Sequence, residues 1–71
     1  MLHILKIKGT DKIPDFVQIR DENMTLVAYF RLNQVEKGLT KNGLEKYTDA
    51  ISSIIKEIDF GKIYKYNNKH E

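Results

Sequence analysis

The segment Phe16 to Leu32, FVQIRDENMTLVAYFRL, decides the fold. Apolar and polar residues alternate on both sides of the polar cluster Asp21-Glu22-Asn23-Met24, the pattern of two half-buried strands joined by a turn. With Glu22 and Asn23 as the central pair, Ile19 faces Leu26 and Val17 faces Ala28. Val17, Ile19, Leu26, Ala28 and Phe30 then share one face. A three-residue loop with Asn23 in the left-handed region is the competing turn, because Asn tolerates a positive φ. It would slip the pairing by one residue and mix the faces. The hydrophobic pattern favours the first register.

Upstream, Leu2 to Lys8 also alternates. His3, Leu5 and Ile7 fall on one side of this strand, and Leu2, Ile4, Lys6 and Lys8 on the other. Gly9 to Lys12 is loop chemistry, and Pro14, which cannot donate to a sheet ladder, sets the start of the next strand after it. Downstream, Asn33 to Gly38 has a cap-like Asn, a Glu three residues on and a closing Gly, which reads as one short helical turn or an irregular link. Asn42-Gly43-Leu44-Glu45 opens the one clear helix. Its apolar stripe is Leu44, Tyr47, Ile51, Ile54, Ile55 and Ile58, with Gly61 as the stop. Lys62 to Tyr66 is a short last strand or an extended segment. The expected fold is α+β: a three-stranded antiparallel sheet packed on one C-terminal amphipathic helix, with a short last strand as an option. Residues 1–66 form the single domain and 67–71 a flexible tail.

Seventy-one residues make one domain with a thin stability margin. The absence of cysteine excludes disulfides and thiolate metal sites, which leaves good packing or association as sources of stability. The net charge of +2 is too small to argue for nucleic acid on bulk charge alone. The basic excess sits at the ends: Lys6, Lys8, Lys12 and Arg20 against Asp11 and Asp15, then Lys62, Lys65 and Lys69 against Glu71. MLHILKIKG is too short and too broken by lysine for a signal peptide, and no apolar run reaches membrane-spanning length. A cytoplasmic protein with no membrane association is expected.

Motifs with chemistry are few. Gly38-Leu39-Thr40-Lys41-Asn42-Gly43 has glycines at phosphate-loop spacing but continues Leu44-Glu45, where a Lys and a hydroxyl are required. It reads as a turn that caps a helix. His3 and His70 lie at opposite ends of the chain without metal-ligand spacing. Ser52 and Ser53 sit mid-helix without a base, Asp21 and Glu22 are turn formers, and Glu57 and Asp59 bracket a helix end. No catalytic residues, no metal and no cofactor are expected.

Two stretches suggest binding. On the outer face of the hairpin stand Phe16, Gln18, Arg20, Thr25, Val27, Tyr29 and Arg31. In the favoured register Phe16 lies opposite Tyr29, Gln18 opposite Val27 and Arg20 opposite Thr25. Aromatic and Arg side chains are what interface centres prefer. A contiguous patch joined by Leu2 and Ile4 from the first strand would be harder to leave wet. Lys62-Ile63-Tyr64-Lys65-Tyr66 interleaves cations and aromatics, a weak echo of single-strand binders and more simply a segment that closes the core. The leading expectation is a small non-enzymatic protein-interaction module, self-associating as a homodimer or binding another protein through the outer sheet face. The alternative is a nucleic-acid-binding domain that uses the same face, with Gln18, Arg20, Thr25 and Arg31 at bases or phosphates.

Overall fold

The computed structural model describes residues 1–67. Strands β1 (Leu2–Ile7), β2 (Phe16–Arg20) and β3 (Leu26–Arg31) are followed by helices α1 (Val35–Lys41) and α2 (Thr48–Glu57), and then by strand β4 (Ile63–Tyr66). Short 3-10 turns at Leu32–Gln34 and Glu45–Tyr47 lead into the two helices. The sheet is antiparallel in the order β3-β2-β1-β4, so the first strand is central. The α+β class with an antiparallel sheet is as expected. The count differs: the sheet has four strands, the optional last strand included, and there are two helices rather than one. Of the expected tail 67–71, residues 68–71 lie outside those described.

The hairpin turn corrects the expected register. Glu22, Asn23 and Met24 form a three-residue loop. The Met24 amide donates to the Asp21 carbonyl at 2.9 Å, and the Asp21 amide donates to the Thr25 carbonyl at 2.9 Å. The left-handed residue is Met24, at φ 64°, not Asn23. Its strain is offset by Asp21, whose Oδ1 accepts from the amides of Asn23 and Thr25 at 2.8 and 3.0 Å. Such a loop alone would turn Ala28 and Phe30 outward. A second irregularity prevents this: Arg20 pairs with Leu26 while Ile19 pairs with Ala28, which leaves Val27 as the extra residue of a β-bulge. The two slips add to a shift of two, and a shift of two restores the faces. Val17, Ile19, Ala28 and Phe30 are buried as expected, but Leu26 lies opposite Arg20 and is 46% exposed.

The additional helix, α1, runs through Gly38, where the sequence leads one to expect a stop. Gly38 lies inside α1 and is buried against the Phe30 ring. Leu39, next to it, is fully buried. The helix ends instead at Gly43, at φ 74°, with the Leu44 amide donating back to the Leu39 carbonyl at 2.8 Å. Asn42, read as the cap that opens the next helix, serves this end: its Nδ2 donates to the Gly38 carbonyl at 2.8 Å. Helix α2 supplies Ile51 and Ile55 to the core beside Leu2, Ile4, Val17, Ile19, Ala28, Phe30 and Leu39.

Lys6 explains which side of β1 faces the helices. Its Nζ donates to the carbonyls of Ile55 and Ile58 at 3.0 and 3.2 Å, where the C-terminal carbonyls of α2 favour a cation. The same ammonium lies 4.7 Å from the centre of the Phe60 ring. The side of β1 with more lysines is therefore the core side, and Leu2 and Ile4 are buried with it.

Candidate interaction face

With both helices on one side, the other face of the sheet is uncovered. Register assigns its residues in rows across the strands. At the hairpin end, Lys65, His3 and Arg20 lie side by side on β4, β1 and β2, next to Leu26. The middle row is Ile63, Leu5, Gln18 and Tyr29, one residue from each strand. The far row is Ile7, Phe16 and Arg31. The middle row carries no charge, and no Asp or Glu stands anywhere in the three rows.

Phe16, Gln18, Arg20, Tyr29 and Arg31 share this face as expected. Their pairing differs: Phe16 lies opposite Arg31, and Gln18 opposite Tyr29. Phe16 and Tyr29 still meet on the diagonal, with ring centres 4.7 Å apart and planes 32° apart. Val27 occupies the bulge and is half-buried. Thr25 stands before β3, in the turn, with its backbone committed to Asp21. Leu2 and Ile4 belong to the core and do not join the patch; Leu5 and Ile7 do.

The face is partly organised by its own bonds. Arg20 donates through Nη1 to the Met24 carbonyl at 2.9 Å and through Nη2 to Gln18 Oε1 at 3.1 Å, which lays the guanidinium along the surface. The His3 ring bonds through Nδ1 to the Asp21 carbonyl at 3.0 Å. Since a carbonyl only accepts, Nδ1 carries the proton. Tyr29 and Ile63 remain 54% and 51% exposed.

No known family model, curated protein or solved structure matches this chain.

His3, Leu5, Ile7, Ile63 and Lys65 are face residues missed in the sequence. The alternation of β1 already grouped His3, Leu5 and Ile7. The signal was obscured because Lys6 and Lys8 made the opposite side look the wetter one. Ile63 and Lys65 enter only because β4 joins the free edge of β1. The other sequence candidates separate in the fold: Gly38 and Gly43 bracket a helix end, and Ser52 and Ser53 lie on α2. His70 lies outside the described residues. Among the described residues no helix is long and apolar enough to cross a membrane.

Proposed function

We propose that the chain is a small non-enzymatic interaction module that self-associates as a dimer through the outer sheet face. The observation that carries this is the uncharged middle row, Ile63, Leu5, Gln18 and Tyr29, joined by Ile7 and Phe16 into an apolar band across all four strands. The cations stand in the rows outside it. An apolar centre inside a polar rim is how protein interfaces are built. Four strands about 4.8 Å apart and about 20 Å long give a face of roughly 400 Å² in projection. Association over so small a face is weak and concentration-dependent.

Sedimentation equilibrium on the wild type and on Tyr29→Lys/Ile63→Lys tests the reading. Both positions are more than half exposed, so the monomer should keep its circular dichroism. A wild-type dimer that the double variant abolishes is the expected result. A wild type that stays monomeric at every concentration, or a variant that associates equally well, overturns it. Because the rims carry like charge, added salt should strengthen the dimer.

A second reading, nucleic-acid binding, is favoured by one observation: Arg20, Arg31, Lys65 and His3 share a face without a carboxylate, beside the Phe16–Tyr29 ring pair, of which Tyr29 is exposed. It predicts the opposite salt response, since phosphate contacts weaken as counterions are added.

A further inference from the structure

Lys65, His3 and Arg20 are far apart in sequence and become direct cross-strand neighbours only because β1 lies between β4 and β2. Adjacent strands are about 4.8 Å apart, so three nitrogen-bearing side chains line one short row. The row places two cations on either side of an imidazole, with no carboxylate among its members. Here Arg20 is fixed by Gln18 and Met24, and the His3 ring by the Asp21 carbonyl, so neither has to be ordered on binding. Arg20 keeps further guanidinium donors beyond these two bonds. With Nδ1 donating to the Asp21 carbonyl, Nε2 is the ring nitrogen of His3 left to meet a ligand.

We infer that the row Lys65–His3–Arg20 is a binding site for a phosphate-class oxyanion. The guanidinium and ammonium donate to its oxygens, and the imidazole stands between them on the same row. Inorganic phosphate and a nucleic-acid phosphodiester present the same chemistry. The site lies at the hairpin end of the outer face, and it does not rest on the dimer; sedimentation reads that separately.

The test is an amide-resolved NMR titration with inorganic phosphate and, in parallel, with a short oligothymidylate, sodium chloride holding ionic strength constant. The proteins are the wild type, Lys65→Gln, Arg20→Gln/Lys65→Gln, and Lys37→Gln/Lys56→Gln, which removes equal charge from the helices. Saturable phosphate shifts are expected at His3, Arg20 and Lys65. They should weaken by roughly tenfold in Lys65→Gln, the loss of one charge-assisted hydrogen bond, and survive in the helix variant. Lys65 is exposed, so its single substitution reads the site even if the double variant is poorly folded. Much tighter oligothymidylate binding that depends on the row assigns the anion to nucleic acid. Saturation by inorganic phosphate alone assigns it to the free ion. No saturable shift with either probe, or equal weakening in the helix variant, overturns the inference.

Discussion

Gly38→Ala should destabilise the protein, although an exposed helical Gly→Ala change ordinarily adds about 1 kcal/mol of stability through helix propensity. Gly38 is buried within α1, and a Cβ there would lie 2.5 Å from both Cβ and Cδ2 of Phe30. Phe30 is itself a core residue, 7% exposed, so its ring has little free space to enter. Relief requires α1 to lift from β3, and overpacking of this kind costs about 1–3 kcal/mol. The clash is at the severe end because three atoms of the Phe30 side chain, two of them in the ring, are met at once. The net effect is a loss of about 1–2 kcal/mol. For a domain of this length that lowers Tm by roughly 5–15 °C, read by thermal melting in the far ultraviolet. The contact also makes a second measurement decisive. Phe30→Leu opens space on one side of the clash, so the Gly38→Ala/Phe30→Leu double variant should lose less than the sum of its parts, by about 0.5 kcal/mol or more. A Gly38→Ala protein as stable as the wild type would refute the close approach of α1 to β3, and so would strictly additive losses.

Lys6→Met should cost about 1–2 kcal/mol in urea unfolding, because the carbonyls of Ile55 and Ile58 lose their cationic donor at the end of α2; an unchanged midpoint would mean that water serves those carbonyls as well. Asp21→Ala should cost about 1 kcal/mol, through loss of the two hydrogen bonds that hold the turn amides of Asn23 and Thr25. Asp21→Asn keeps the accepting oxygen and should retain most of that stability. A loss with Asn equal to that with Ala would show that the charge, not the acceptor, matters.

The parts of the fold governed by local alternation were legible. Strands β1, β2 and β3 stand where period-two patterning put them, and most of the α2 stripe points inward. What the sequence concealed was a set of compensations between distant parts of the chain. Neither the turn at Met24 nor the bulge at Val27 is readable alone, since each is tolerable only because the other corrects it. Gly38 reads as a helix stop because its reason for being there is the Phe30 ring across the layer. Lys6 reads as a solvent residue because its partners are carbonyls at the end of a helix much later in the chain. The candidate face followed the same division. Phe16, Gln18, Arg20, Tyr29 and Arg31 came from one hairpin and were readable together. His3, Leu5, Ile7, Ile63 and Lys65 joined them through strand order, which no local pattern encodes.

Topology accounts for the open face. The chain reaches β3 at one edge of the sheet and must return to β4 at the other. That single connection carries both helices, and it crosses β2 and β1 on one side only. A second helix therefore thickens the same layer and cannot cover the opposite face. The hairpin turn between β2 and β3 is too short to fold across a sheet, and the backbone of Asp21 and Thr25 within it is already paired. The exposure of Tyr29 and Ile63 thus follows from connectivity rather than from poor packing. A solvated face needs no apolar band, and the helix surfaces of this chain are charged where they meet water. Leu5, Ile7, Phe16, Tyr29 and Ile63 thus stand together on the face of the sheet that both helices leave uncovered.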